Sequence, residues 1–275
     1  MFHFKHFSLY HENSALKIST DAVLLAAVTP VNGVRTLLDI GCGCGVIAFC
    51  MAWKMQQECA MHEISLQNKT LLANASHENN IGENTLQGNA LSETVTQKIT
   101  GLDIDGPSIS EALKNKELFP QRHFQNIHFY QQSIQEFSEN YAENFDLIVS
   151  NPPFFVDSLK PNTPQKNISK HNDTLPFEDL RDAVCQLLEP NGSFYLILSA
   201  NESEIFEQLS LNQLFKSYQL VIQPIPSKPV NRIITGYRLS PSASGCKTEH
   251  LCLRNADGSM SEEYRNLTKE FLLSN

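Results

Sequence analysis

The sequence predicts an α/β fold, a mostly parallel sheet of seven strands with helices on both faces, forming a single domain over residues 1–275. Three observations predict it. Short apolar runs alternate with stretches of helical spacing along the chain. The first run, Thr36-Leu37-Leu38-Asp39-Ile40, passes at once into the glycine loop Gly41-Cys42-Gly43-Cys44-Gly45 and a helical run from Val46. A later run, Phe145-Asp146-Leu147-Ile148-Val149, leads directly into Ser150-Asn151-Pro152-Pro153-Phe154-Phe155. Strands that are apolar nearly throughout are covered on both faces, which is the condition of a parallel sheet.

Residues 1–34 form a leader, in which Ala22 to Val28 reads as a short helix capped by Thr20 or Asp21 and stopped near Pro30 and Gly33. Residues 54–98 are polar and rich in Asn, Gln, Ser and Thr, with helical character expected only over Leu66 to Ala75, and read as a surface insertion. Ile99 to Asp105 makes the second strand and Asn126 to Tyr130 the third. After the fourth, Phe145 to Ser150, a long polar loop through Lys160 to His171 reads as a flap facing substrate. Leu175 to Leu188 is helical, Gly192 to Leu198 a fifth strand, Glu202 to Phe215 a helix, and Tyr218 to Gln223 and Arg232 to Leu239 strands six and seven. A last strand over Glu249 to Arg254 precedes a C-terminal helix of Ser261 to Leu272.

With 41% hydrophobic residues the chain can bury a sizeable core, and no apolar run approaches the length of a membrane span. Met1 to His6 lacks the apolar segment of a secretory signal, so a cytoplasmic location is expected. A monomer is expected as well. Seven scattered cysteines do not form a disulfide framework, and Cys42 and Cys44 have no second pair at ligand spacing, so no metal is expected. The net charge of −9 counts against a broad electrostatic grip on nucleic acid, and any RNA contact must be local. Candidate basic spots are His3, Lys5 and His6, the Lys160 to His171 segment, and Lys228 with Arg232.

The chemistry concentrates at two loops. A strand, a glycine loop and a helix N-terminus bring backbone N–H groups close to a ligand. The spacing here is G-x-G-x-G with Asp39 two residues ahead of Gly41, whereas the dinucleotide fingerprint is G-x-G-x-x-G. A carboxylate at that point suits a cationic ligand such as S-adenosyl-L-methionine, and Asp103, at the end of the second strand, can take its ribose hydroxyls. At Asn151 and Pro152 each following proline favours extended geometry and each proline fixes φ, so two acceptors, the Asn151 amide oxygen and the Pro152 carbonyl, are held in set directions. Beside the aromatic face of Phe154 they fit a planar base carrying an exocyclic NH2, whose two N–H bonds need two acceptors.

The segment Leu16-Lys17-Ile18-Ser19-Thr20-Asp21-Ala22-Val23-Leu24-Leu25, the D-I-G-C-G-C-G loop, N-P-P-F-F and the tail from Leu253 to Phe271 together resemble the bacterial tRNA1(Val) (adenine(37)-N6)-methyltransferase family. The resemblance covers nearly the whole chain outside the insertion. It implies a Rossmann-like class I methyltransferase fold, S-adenosyl-L-methionine as cofactor and tRNA as partner. It also implies cofactor contacts from Thr20, Asp21, Asp39, Gly41, Gly43, Gly45, Asp103, Ser133 and Asn151, and catalytic roles for Asn151, Pro152 and Phe154. The chain departs from the pattern in its insertion and in carrying Ser133 where relatives often have Asp. Two other classes share parts of this pattern: amino methyltransferases acting on guanine or on a protein glutamine, and an RNA-binding module without turnover. Glutamine methylators place a helical domain before the core, where this chain has about 34 residues; intact Asp39, Gly41, Gly43 and Asn151 favour an active enzyme.

Overall fold

The computed structural model describes residues 1–15, 17–77, 97–119, 122–152 and 175–273. Two short strands, β1 (Phe2–His3) and β2 (Ser8–Leu9), pair as an antiparallel hairpin ahead of helix α1 (Thr20–Val28). The central part follows as β3 (Thr36–Ile40), α2 (Val46–His77), β4 (Lys98–Asp103), α3 (Gly106–Glu117), α4 (Arg122–Gln125), β5 (Ile127–Gln131), α5 (Ile134–Asn140) and β6 (Phe145–Ser150). The remainder is α6 (Phe177–Leu187), β7 (Leu188–Leu198), α7 (Ala200–Leu209), β8 (Phe215–Gln223), β9 (Arg232–Arg238), β10 (Lys247–Cys252) and α8 (Glu262–Thr268).

The main sheet has eight strands in the order β10-β8-β9-β7-β6-β3-β4-β5. It contains the seven expected strands, and the last strand of the chain extends the same sheet by pairing parallel to β8. Only β9 runs against its neighbours, β7 and β8. The pairs β7-β6, β6-β3, β3-β4 and β4-β5 are all parallel. Successive side chains of a strand leave on opposite faces, and the core divides accordingly. Leu37, Leu147 and Val149 pack with α1, α2 and the N-terminal hairpin; Leu38, Ile40 and Ile148 pack with α5, α6 and α7. Both faces are therefore covered, which accounts for the apolar strands.

Three elements differ from the expectation. The N-cap of α1 is Ser19, whose hydroxyl accepts from Ala22 N–H, so Thr20 and Asp21 are the first residues inside the helix. Helix α2 runs without a break from Val46 to His77, so the polar stretch from residue 54, expected to be helical only over Leu66 to Ala75, begins as helix, and residues 78–96 lie outside the described ones. Lys54 belongs to the fold rather than to an insertion. Its ammonium donates to the carbonyls of Ala26, Ala27 and Thr29, capping α1, which has no basic residue in its own last turn. Burial pulls that ammonium down to about 8. Third, α7 ends at Leu209 and β8 already begins at Phe215, because the chain reverses at Asn212 with φ of 64°. Ser199 and Glu202 start α7 with a reciprocal capping box.

The leader is fastened to the core at both ends. Phe7 packs edge-on against Phe119 and Phe124 and tilted against Phe49, while Lys5 N–H donates to the Phe271 carbonyl. His6, expected as a basic RNA contact, is stacked on Trp53 at 4.3 Å between ring centres.

Candidate active site

Register places the singled-out loops side by side. Ile40 pairs with Ser150 across β3 and β6, and with Leu102 across β3 and β4; Asp103 pairs with Gln131 across β4 and β5. The residues that follow these strands, Gly41, Asn151 and Ser133, together with Asp103, therefore meet along one carboxyl edge of the sheet. Ligands of open α/β sheets bind at such an edge. The Ser150 hydroxyl donates to the Ile40 carbonyl at 2.8 Å and ties the start of the Asn151 loop to the start of the glycine loop.

The glycine loop is built by left-handed backbone. Gly41, Gly43 and Gly45 have φ of 72°, 55° and 86°, a region that other L-residues rarely adopt. Their surroundings separate their roles. A Cβ on Gly41 would meet nothing within 4 Å, so this side of the loop stands open. A Cβ on Gly45 would come within 2.7 Å of the Phe129 ring, so this glycine permits close packing of the loop on β5. The Gly41 and Cys42 N–H groups both donate to the Leu102 carbonyl, and Gly43 N–H donates to Asp103 Oδ2 at 2.8 Å. Asp103 Oδ1 accepts from Asp105 N–H. A carboxylate has about four acceptor positions, so Asp103 keeps capacity for two further donors. Burial raises its pKa, with the Gly43 and Asp105 N–H groups opposing.

Asp39 is completely buried. Its Oδ2 accepts from Ala48 N–H in the first turn of α2, and its Oδ1 has no hydrogen-bond partner. Burial pushes its carboxyl up to about 8, against the pull of the Ala48 N–H and with the Asp103 charge adding to the rise. Asn151 repeats the pattern: its Oδ1 is buried without a partner. Five buried side-chain atoms lack partners among the described residues; three are hydroxyls, of Thr100, Ser210 and Thr235. The two others, on Asp39 and Asn151, are acceptors at the ends of adjacent strands. An unpaired buried acceptor costs about 1–3 kcal/mol, and two together mark a place built for donors from outside the chain.

The other expected residues fall as follows. Pro152 is buried and directly follows Asn151. Phe154, the expected stacking ring, lies outside the described residues, as do Phe155 and the Lys160 to His171 segment. Ser133 stands at the same edge but is the N-cap of α5: its hydroxyl accepts from Glu136 N–H and donates to the Glu136 carboxylate. Thr20 is exposed, and Asp21 pairs with Arg232 at 2.8 Å. Arg232 opens the antiparallel β9, so this pair sits at the same edge of the sheet, displaced toward β8.

Sequence reasoning missed the clasp that holds the leader beside the glycine loop. Asn115, fully buried in α3, accepts from Tyr10 N–H at 2.8 Å and donates to the carbonyls of Tyr10 and Cys44. One turn back, Glu111 accepts from Asn13 and Ser14 N–H, and the Ser108 hydroxyl bonds to Ser14 and Ala15. Ser108, Glu111 and Asn115 recur at helical spacing, so a polar stripe along α3 was the available signal. Among the described residues no group of His, Cys, Asp or Glu is arranged to hold a metal ion, and no helix is long and apolar enough to cross a membrane.

Known proteins share this architecture. A model described as a methyltransferase domain matches residues 82–257, and one described as a methyltransferase small domain matches residues 13–105. A tRNA1(Val) (adenine(37)-N6)-methyltransferase of Bacteroides fragilis strain YCH46 is 32% identical over 274 residues, covering 99% of this chain and 97% of that protein. A protein of the same name from Pseudoalteromonas translucida is 30% identical over 273 residues, with 99% and 98% covered. Among solved structures, a predicted O-methyltransferase, Atu636 of Agrobacterium tumefaciens, superposes with a TM-score of 0.61 at 13% identity, over 91% of this chain and 96% of that one. At that identity the likeness speaks for the fold alone.

Proposed function

The chain belongs to the tRNA1(Val) (adenine(37)-N6)-methyltransferase family, and from that premise we propose that it transfers a methyl group from S-adenosyl-L-methionine to N6 of an adenine in tRNA, adenine 37 of tRNA1(Val). The observation that carries this is the partnerless, buried Oδ1 of Asn151 beside an open glycine loop. When bound, S-adenosyl-L-methionine supplies an electrophilic methyl group on a sulfonium.

The residues fit that cofactor. Asp39 Oδ1 offers an unpaired acceptor to its ammonium, and the open side of Gly41, with Gly43 next to it, accommodates its amino-acid half. Asp103 has acceptor capacity left for the two ribose hydroxyls. Thr20 and Asp21, in the first turn of α1, close the pocket from the leader side, with Asp21 held by Arg232. Ser133, at the same edge, is the residue the family resemblance assigns to the adenine amino group, although its hydroxyl is already used as the cap of α5.

The chain's work on the acceptor is positional. An adenine N6 lone pair is delocalised into the ring and is a poor nucleophile. Asn151 Oδ1 accepts one N–H, the Pro152 carbonyl accepts the other, and the nitrogen is drawn toward tetrahedral geometry with its lone pair aimed at the methyl carbon. With the cofactor bound, its methyl group would pass to this nitrogen and the sulfonium would leave as a neutral thioether. The methylated nitrogen, now cationic and acidic, loses a proton past Asn151 to water, so no general base is needed. Phe154 is proposed to stack on the extruded base, a contact worth about 1–3 kcal/mol.

The test is methylation of unmodified tRNA followed by mass spectrometry of its nucleosides. N6-methyladenosine at position 37 of tRNA1(Val) is the expected product. Label found only in a guanine derivative or in protein would overturn the proposal.

A further inference from the structure

A cavity opens on the same edge of the sheet, away from Asn151. It is a shallow, open groove of about 480 Å³ between the turn that follows β8 and the residues that follow β10. Both strands run parallel to β6 and β3, so their ends, Gln223 and Cys252, lie on the carboxyl edge that carries the methyl-transfer site. In the strand order β8 lies three spacings from β6, about 14 Å at roughly 4.8 Å per spacing.

The lining has a distinct chemistry. Pro224, Ile225, Pro229 and Leu253 form an apolar wall, and the two prolines hold their stretch of backbone at fixed φ. Lys228 and Arg254 stand at the rim, both exposed, and no lining residue is acidic. The Arg254 guanidinium is steadied by the Gly258 carbonyl at 2.8 Å. Lys228 has no partner for its ammonium among the described residues. The walls are also tied together, since Arg254 N–H donates to the Pro224 carbonyl and Leu253 N–H to the Gln223 carbonyl. In a chain of net charge −9, two unopposed cations over an apolar floor form a local anion site.

We infer that this cavity receives an unpaired nucleotide of the RNA substrate flanking the base held at Asn151. The base lies on the apolar wall within reach of the Asn231 amide, and its phosphate meets Lys228 and Arg254. This rests on the proposed RNA methylation and deepens it. It answers how an acidic protein holds a polyanion: through cations confined to the edge where the chemistry occurs rather than spread over the surface.

The test is binding of a labelled, unmodified anticodon stem-loop RNA to the full-length protein across a salt series, compared with a Lys228→Ala/Arg254→Ala variant. Two phosphate contacts to a single strand contribute about 1.4 to the slope of log affinity against log salt. Wild-type affinity is therefore expected to fall about sevenfold more than the variant's between 50 and 200 mM salt. Binding of S-adenosyl-L-methionine should not change. If the double variant does not fold, Lys228→Glu alone, at an exposed side chain, should weaken RNA binding by more than Lys228→Ala. Identical salt slopes for wild type and variant would overturn the inference, as would competition by polyglutamate as strong as by RNA. Because RNA binding is read directly, a wild-type protein that binds the RNA with this slope but methylates no tRNA would refute the proposed activity and leave the cavity assignment standing.

Discussion

The seam between the leader and α3, and the ends of β3 and β6, both bury polar side chains, and they treat them in opposite ways. At the seam every contact closes within the chain: the Asn115 amide serves Tyr10 on both its N–H and C=O and still reaches Cys44, and Glu111 collects the N–H groups of Asn13 and Ser14. At the strand ends Asp39 and Asn151 each keep a buried oxygen without a donor. A satisfied buried amide rigidifies the structure, whereas an unsatisfied one is a cost that the folded chain alone does not offset. The seam belongs to the architecture, and the strand ends are where we propose that a ligand supplies the missing donors. It can be broken by substitutions on either side.

The largest effect is expected at Asn151. Asn151→Ala should lower the single-turnover methylation rate by about 10²–10³, the scale found on removing one preorganised hydrogen-bonding group from an active site. Affinity for S-adenosyl-L-methionine should change far less, since the contact belongs to the methyl acceptor. Asn151→Asp keeps an acceptor and should retain partial activity. A wild-type single-turnover rate for Asn151→Ala would place the chemistry elsewhere.

Next come the two carboxylates. Asp103→Ala removes the acceptors of the ribose hydroxyls and the anchor of Gly43, and calorimetry should show affinity for S-adenosyl-L-methionine reduced roughly 100-fold, the sum of two charge-assisted hydrogen bonds. Asp39 brings a pH signature. Its folded pKa of about 8 lies above the ordinary carboxylate value, so below about 8 the ligand-free protein holds a proton that the unfolded chain has released. Stability contributed by this site is therefore lost as pH rises from about 4 to 8. A bound ammonium favours the ionised form, so cofactor affinity should rise with pH through the same upper range and one proton should be released on binding at pH 7. Titrations in buffers of different ionisation enthalpy measure that proton, and its persistence in Asp39→Asn would assign it to another group.

On the other side of the comparison, Asn115→Ala strands the Tyr10 N–H and the Cys44 carbonyl. It should cost about 2 kcal/mol in denaturant unfolding and, by loosening the glycine loop, weaken cofactor binding about tenfold. Asn115→Asp retains the acceptor for Tyr10 but sets a second oxygen against the Tyr10 and Cys44 carbonyls in a buried site, and should cost at least as much. A stability loss with unchanged affinity would confine Asn115 to the leader.

Legibility followed the same division. Thr36–Ile40 and Phe145–Ser150 were readable to the residue because apolar runs bounded by Gly and by Asn-Pro leave little choice of ends. That the glycine loop, Asp39, Asp103 and Asn151 stand at strand ends was readable because each follows or closes an apolar run. What was hidden was long-range. The polar stripe of α3 does not say that its partner is a leader about 100 residues upstream, and the two-residue strands β1 and β2 are too short to carry a period. The continuation of α2 was hidden because Lys54 reads as surface until the end of α1 is placed against it. Gly45 looked like its neighbours in the motif, and only the Phe129 ring shows that its missing Cβ makes room for packing.

The smallest effect sharpens the comparison most finely, because Ser133 stands between its two sides. The resemblance assigns it to the cofactor, yet its hydroxyl already accepts from Glu136 N–H at 3.2 Å and donates to the Glu136 carboxylate at 3.0 Å, the habit of a satisfied cap. Ser133→Ala should therefore cost about 1 kcal/mol of stability, the usual loss for a serine N-cap, and change S-adenosyl-L-methionine affinity by less than about twofold. Ser133→Asp provides the opposing arm. Aspartate caps at least as well as serine and its charge is favourable at the N-terminus of α5, but it loses the bond to the Glu136 carboxylate and repels it, so stability should hold or fall slightly. If that carboxylate also faces the adenine amino group, affinity should increase. Denaturant midpoints and calorimetry on both variants separate the two roles: a large affinity loss in Ser133→Ala at unchanged stability would move this residue from the architecture to the ligand.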